Sequence, residues 1–345
     1  LLQEQDFLVQ WHLTERCNLS CRHCYQKPDR VAELAPEQVE SLLTEIRQTL
    51  DFWSDRYQLL FKPALNLTGG EPLIYPDLWR ILRYGSQLGF NCSVMTNGTL
   101  ISNRDAELLK KLGVNSVQVS IEGTQPVHDQ IRGENSFSRA LQGVAALVAA
   151  GIEVTFSLTL TALNIDELPS VINIAETHRV ARVGFSRLVP FGQGKELQSL
   201  MIPTPQYREL LAQLPSLRRP GVDIVSNDPL ACLFDPALAE LLPSGVAAFG
   251  CAAGTHGITV MPDGAVMPCR RMDLVIGNLL TTPFRRLWVE SPVLQELRSQ
   301  AAYRGKCQSC EFWSACRGCR AVARALSADP NRGHLDPDPN CWYQS

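Results

Sequence analysis

The sequence predicts an α/β protein: a partial (β/α)6 barrel followed by a small Cys-rich C-terminal domain. Three observations carry this expectation. Strand-like and helix-like segments alternate between residues 7 and 188, which implies a parallel sheet with right-handed crossovers. Two of the strands alternate strictly between apolar and polar residues. The cysteines are bunched: of twelve, three lie near the N-terminus, seven lie from Cys251 onward, and Cys92 and Cys232 stand alone.

Residues 7–13 read as a strand, with Val9, Trp11 and Leu13 on one face and Gln10 and His12 on the other. Residues 36–50 read as an amphipathic helix opened by Pro36, with Val39, Leu42, Leu43, Ile46 and Leu50 as its apolar stripe. A strand over 64–67 leads into the turn Thr68-Gly69-Gly70-Glu71-Pro72. Helices follow over 76–88, 102–112, 136–150 and 166–179. Strands fall between and after them, over 91–97, 115–122, 152–161 and 181–188.

The polar strand faces decide the shape. Val117, Val119 and Ile121 oppose Gln118, Ser120 and Glu122; Val154, Phe156, Leu158 and Leu160 oppose Thr155, Ser157, Thr159 and Thr161. A flat parallel sheet covered by helices on both faces would bury the polar set without partners. A barrel with helices outside and a polar ligand inside removes the conflict; a sheet with one solvated face is the other arrangement the pattern allows. Prolines at 203, 205, 215 and 220 punctuate a less regular stretch. Residues 1–200 are therefore expected to form the barrel, 201–250 a bridging segment and 251–345 the Cys-rich domain.

Composition narrows the function. The chain has 345 residues, is 45% apolar and carries a net charge of −3, so it is globular and nucleic acid is not an expected partner. No apolar run approaches the roughly 20 residues that span a bilayer, and no secretory signal is visible, so no membrane is expected. Clustered cysteines in a chain with a full apolar core point to metal ligation in the reducing cytoplasm rather than to a disulfide network. Cys92 alternates with Val94 and reads as a buried small hydrophobe, and His178 and His256 read as structural.

The stretch Cys17-Asn18-Leu19-Ser20-Cys21-Arg22-His23-Cys24 places three thiols at C-x3-C-x2-C spacing. Thiolates suit zinc or iron–sulfur clusters. Three close ligands leave one corner of a four-iron cluster open, whereas structural zinc fills four positions. The spacing resembles the cluster loop of the radical S-adenosylmethionine (SAM) enzymes, with His23 in the aromatic place. The Gly69-Gly70-Glu71-Pro72 turn, one strand later, resembles that family's motif for the SAM amino group. A zinc knuckle is the alternative for the thiols alone.

The resemblance covers residues 7–200 and implies a TIM-type partial barrel, whose site collects at the C-terminal strand ends. It implies that Cys17, Cys21 and Cys24 ligate a catalytic [4Fe-4S] cluster whose open corner SAM completes. Gly69, Gly70 and Glu71 would hold the amino group, and His23 would sit near the adenine. Ser120 would meet the ribose or carboxylate, Arg132 would contact SAM, and Leu188 would meet the adenine through its backbone. Thr96, Glu122 and Thr159, at neighbouring strand ends, are assigned to the same site.

The C-terminal thiols run Cys251-x12-Gly264-x4-Cys269, then Cys307-x2-Cys310-x5-Cys316-x2-Cys319, then Cys341. A hairpin turning at Pro262-Asp263-Gly264 would bring Cys251 and Cys269 together. Seven thiols exceed one metal site, and zinc ribbons remain the alternative. The array resembles the SPASM domain of peptide-modifying radical SAM enzymes, with an interval of two rather than three before Cys319. The resemblance implies two auxiliary [4Fe-4S] clusters, three clusters in all. Cys251, Cys269 and Cys319 would hold the first; Cys307, Cys310, Cys316 and Cys341 would hold the second. The first then lacks a ligand, which Cys232 or a substrate thiolate would supply.

Sulfatase-maturing relatives place an acid directly after the second of these cysteines. Arg270 stands there, which argues against formylglycine formation. The expectation is an oxidoreductase-type peptide maturase. A 5′-deoxyadenosyl radical from SAM would take hydrogen from a ribosomally made precursor peptide, giving a thioether, a carbon–carbon crosslink or a related modification. Flavodoxin or ferredoxin would supply the electron, and a separate protein would bind the leader peptide. Side-chain modification of a tetrapyrrole in haem-type biosynthesis and a non-catalytic metal scaffold are the rivals.

Overall fold

The computed structural model describes residues 3–26, 31–226, 228–235, 237 and 247–344. Seven strands run parallel in chain order: β1 (Gln3–Thr14), β2 (Leu59–Gly69), β3 (Asn91–Thr96), β4 (Ser116–Ser120), β5 (Glu153–Leu160), β6 (Arg182–Arg187) and β7 (Asp223–Ser226). Helices α1 (Pro36–Tyr57), α2 (Leu78–Gln87), α3 (Asn103–Lys111), α4 (Gln125–Arg132), α5 (Ser136–Ala149) and α6 (Leu168–Thr177) fill the crossovers, and α7 (Thr204–Gln213) precedes β7. The α/β fold read from the sequence is thus the one observed.

The alternating strands do what their pattern required. Val117, Val119, Ile121, Val154, Phe156, Leu158 and Leu160 are buried in the apolar core. Gln118, Ser120, Ser157 and Thr159 line a cavity, joined there by Thr68 of β2, Met95 of β3 and Ser186 of β6. A single cavity can meet five successive strands only if the sheet curves around it. Cys92 is buried as expected, with its sulfur 3.9 Å from the Leu82 carbonyl oxygen.

The sheet is longer than the six strands expected. β7 lies in the stretch read as a bridge, where four residues with acidic and hydroxyl ends gave no apolar run. At the other edge, β8 (Gly257–Val260) pairs parallel with β1, and β9 (Ala265–Met267) and β10 (Gly277–Asn278) continue antiparallel, making ten strands among the described residues. The Cys-rich segment is therefore built onto the barrel edge. Its first strand presses so closely that a Cβ on Gly257 would stand 2.2 Å from the Leu8 carbonyl oxygen.

Behind this edge, α8 (Phe284–Glu290) seats two aromatics on the barrel, and α9 (Pro292–Arg298) follows it. Phe7 meets Phe284 at 5.8 Å and Trp288 at 5.0 Å between ring centres, and Trp53 meets Phe284 at 5.8 Å. Trp53 belongs to the part of α1 beyond residue 50, where the sequence reading ended the helix. Those turns are held by partners from the far end of the chain, which one helix's periodicity does not reveal. The last helix is α10 (Arg320–Leu326).

Candidate functional site

The site grows from the contact between two loops. β1 ends at Thr14, and the glycine turn after β2 lies directly against the residues leading to Cys17. Gly70 N–H donates to the Thr14 carbonyl at 2.8 Å, and Glu71 N–H to the Arg16 carbonyl at 2.9 Å. Added Cβ atoms would stand 2.2 Å from the Thr14 oxygen at Gly69 and 2.3 Å from the Arg16 oxygen at Gly70. Gly69 also has φ +148°, which side chains disfavour. The two glycines set the height of the Cys loop above the sheet.

Each cysteine is then held by a different strand-end loop. Asn97, after β3, donates to Asn18 at 2.9 Å and brings Nδ2 to 3.9 Å from Cys17 Sγ. Arg132, in the last turn of α4, brings Nη1 to 3.8 Å from Cys21 Sγ. Gly194 N–H, beyond β6, donates to the Cys24 carbonyl at 3.0 Å.

Glu122 ties two of these supports together. Its Oε1 accepts from Arg132 Nη2 at 2.6 Å and lies 3.2 Å from His23 Nε2, while Oε2 accepts from Thr159 N–H at 2.8 Å. Burial alone would raise its pKa, but the Arg132 guanidinium and His23 outweigh burial and hold the carboxyl well below the usual range. His128 accepts from Glu122 N–H at 3.2 Å, and burial and Arg132 push its pKa down to about 4.

These elements enclose a cavity of about 290 Å³. Its wall includes Cys17, Cys21, Cys24, His23, Gly69, Gly70, Thr96, Ser120, Arg132 and Thr159, all expected at the site. Three other expected residues are placed differently. Glu71 is off the wall, and its buried carboxylate accepts from Thr96 Oγ1 at 2.7 Å, Asn97 N–H at 2.9 Å and Leu73 N–H at 3.2 Å. Burial raises its pKa to about 6, against those hydrogen bonds. It locks the loops after β2 and β3 together, leaving the wall to the glycines. Glu122 likewise sits behind the wall. Leu188 is buried, and its N–H already donates to the Leu160 carbonyl at 3.1 Å.

The C-terminal thiols fall into two groups. Cys307, Cys310, Cys316 and Cys341 line one small cavity with Lys306 and Asp338. Cys251 and Arg271 lie close to Cys319, and Arg271 also neighbours Cys269. Cys232 was expected beside this second trio, yet it lies next to Cys316. It rides on a 3-10 turn over Pro229–Phe234, which Asp228 anchors to Arg187 of β6. Among the described residues no three His, Cys, Asp or Glu side chains converge on a single-ion site. A four-iron cluster instead spreads its thiolates over separate irons.

The sequence matches the radical SAM superfamily over residues 11–175 and the SPASM iron–sulfur cluster-binding domain over residues 251–320. It is 30% identical over 343 residues to the mycofactocin maturase MftC of Mycobacterium tuberculosis, covering 96% of this chain and 81% of that one. This chain belongs to the radical SAM/SPASM enzymes. It is also 28% identical over 355 residues to the AdoMet-dependent heme synthase of Nitratidesulfovibrio vulgaris, covering 98% of this chain and 92% of the relative. Among solved structures, Streptococcus suis SuiB bound to S-adenosylmethionine superposes with a TM-score of 0.76 at 16% identity, over 98% of this chain and 78% of that one. SuiB has also been solved bound to its precursor peptide SuiA, with a TM-score of 0.71 at 16% identity, over 98% of this chain and 76% of SuiB.

As a radical SAM/SPASM enzyme the chain uses SAM and a four-iron cluster, and its SPASM domain binds further iron–sulfur clusters. The donor set fits. Three thiols face one cavity, a backbone cradle lies beside them, and the opposite wall is hydroxyl and amide rather than apolar.

Some wall residues escaped the sequence reading. Gln118 and Ser157 were legible as polar-face positions but carried no motif, and Ser186 sat in a strand read only for its length. Asn97 lay in a noted strand end without an assigned role. Tyr25 and Arg270 reach the wall through loops and Gln193 through the 3-10 stretch Gly192–Leu200, where periodicity carries no signal.

Proposed function

We propose that this enzyme modifies a ribosomally made precursor peptide, forming a thioether, a carbon–carbon crosslink or a related bond. The observation that carries the reading is the convergence of Cys17, Cys21 and Cys24, the Gly69-Gly70 turn and the polar strand faces on one cavity at the C-terminal end of the sheet. The likeness to a maturase over nearly the whole chain supports the peptide as substrate. SAM bound at a four-iron cluster supplies hydrogen abstraction from carbon.

The chain's own residues bind and orient. Cys17, Cys21 and Cys24 would ligate the catalytic cluster. Gly69 and Gly70 would present backbone to the SAM amino group, while His23, Thr96, Ser120, Arg132 and Thr159 would meet the rest of the molecule. Glu122 positions His23 and Arg132. Cys307, Cys310, Cys316 and Cys341 would hold one auxiliary cluster, and Cys251, Cys269 and Cys319 the other, giving three clusters. Cys232, beside Cys316, borders the first of these sets. A flavodoxin or ferredoxin would deliver electrons, and a separate protein would present the leader peptide. No helix among the described residues is long and apolar enough to cross a membrane.

A second reading, side-chain modification of a tetrapyrrole, is favoured by the heme synthase likeness over 98% of this chain. Anaerobic co-expression with each candidate precursor peptide, followed by mass spectrometry, separates the two. A peptide mass change that disappears in Cys17→Ala supports the first reading. Turnover of a propionate-bearing tetrapyrrole, with every peptide unchanged, overturns it.

A further inference from the structure

Three arginines reach the wall of the SAM cavity: Arg16, Arg132 and Arg270. Two are neutralised by the protein. Arg16 Nε lies 2.8 Å from Glu33, and Arg132 Nη2 lies 2.6 Å from Glu122. Arg270 differs. Its partners among the described residues are the Met95 sulfur, 3.5 Å from Nη1, and the Tyr25 ring, whose centre lies 5.7 Å from the guanidinium carbon. Neither carries a formal charge, and among the described residues no carboxylate forms an ion pair with Arg270. The thioether takes a weak hydrogen bond from Nη1 and the aromatic face takes none, so no strong acceptor occupies the guanidinium.

The surroundings reinforce the point. His12 lies behind this cluster, fully buried, with both ring nitrogens unpartnered and its ring 6.1 Å from Tyr25. The neighbouring residue, Arg271, faces a second cavity of about 630 Å³, which it lines together with Phe191 and Gly192. Gln193 lines the SAM cavity beside Arg270. The two cavities thus have chain neighbours in their walls, at 192–193 and at 270–271.

We infer that Arg270 binds a carboxylate of the substrate, carried to the cluster-side cavity on a side-chain-sized arm. A guanidinium without a carboxylate partner on a cavity wall is the group that recognises a carboxylate by two parallel hydrogen bonds. At about 290 Å³ the inner cavity is at the small end for a ligand site of roughly 300–1,000 Å³, too small for a whole peptide or tetrapyrrole. The inference rests on the peptide reading for the source of the arm: a peptide C-terminus or an acidic side chain. A tetrapyrrole propionate has the same chemistry.

The test uses the full chain with reconstituted clusters and saturating SAM, and equilibrium binding is measured by calorimetry. The probes are acetyl-Gly-Gly-Ala as free acid and as amide, acetyl-Gly-Glu-Gly amide with its Gln counterpart, and coproporphyrin III with its tetramethyl ester. At least one acid should bind at least tenfold more tightly than its neutral partner. Arg270→Gln should remove that preference, and Arg270→Lys should keep part of it. Iron content and the SAM dissociation constant are measured for each variant. If the wild type shows no preference for any acid, the inference is wrong. It is equally wrong if Arg270→Gln keeps the preference, or if SAM affinity falls as much as probe affinity, since Arg270 then belongs to the SAM subsite. A preference confined to coproporphyrin and lost in Arg270→Gln upholds Arg270 and overturns the peptide source. A peptide preference that survives Arg270→Gln overturns Arg270 and leaves the peptide source standing.

Discussion

At the scale of single residues, a buried charge is costly unless a partner answers it. Glu122 has no exposed surface and is held ionised by Arg132 and His23. Arg132→Met would leave that carboxylate alone in the interior, and breaking a buried pair in this way costs about 3–5 kcal/mol. We expect a loss of that size in urea unfolding, together with weaker iron retention, because Arg132 also reaches Cys21. Arg132→Lys should recover part of both.

His12 shows the opposite case, a buried imidazole kept neutral. Burial first, and then the Arg270 charge, lower its pKa from 6.5 to about 3. A depressed histidine pKa means that the unfolded chain takes up a proton the folded one refuses. Its contribution to stability is therefore present above pH 6.5 and lost as the pH falls from 6.5 toward 3. The loss is about 1.4 kcal/mol per pH unit within that window. Urea midpoints at pH 7.5 and pH 5.5 should diverge less in His12→Leu than in the parent; an unchanged difference would show that His12 does not carry the slope.

At the scale of elements, the site is a stack of strand-end loops, and glycines fix the spacing of the first two. Gly70→Ala would drive a methyl into the Arg16 carbonyl, 2.3 Å away, and break the hydrogen bond from Gly70 to Thr14. Overpacking of this kind costs about 1–3 kcal/mol. The displaced segment leads directly into Cys17, so SAM affinity should fall more than global stability does. Calorimetric SAM binding set against the unfolding midpoint checks this.

At the scale of the whole molecule, the barrel and the Cys-rich segment are joined by one buried arginine as well as by a shared sheet. Arg187 of β6 donates to Asp228 at 2.6 Å, to Asp338 at 2.7 and 2.9 Å and to Asn340 at 3.0 Å. Asp338 in turn accepts from the Cys319 N–H at 2.7 Å. Arg187→Leu would strand two buried carboxylates, at a cost of at least about 3–5 kcal/mol. We expect auxiliary iron to be lost first, read as a lower iron count with the three N-terminal thiols still loaded. An unchanged iron count would show that the clamp does not support the Cys319 loop.

What the sequence determined by itself is what neighbouring residues encode. The C-x3-C-x2-C loop, the Gly69-Gly70 turn, the polar strand faces and the hairpin turning at Pro262-Asp263-Gly264 all follow from spacings of a few residues, where backbone geometry leaves few choices. Tertiary structure alone decided which buried charges meet. Arg187 finds Asp338 across 151 positions, and Arg270 finds Met95 across 175. It also decided that Glu71 braces two loops instead of facing the cavity, that Cys232 lies against Cys316, and that β8 extends the barrel at β1. Those outcomes depend on the order in which strands lie side by side, and local periodicity is the same for every such order.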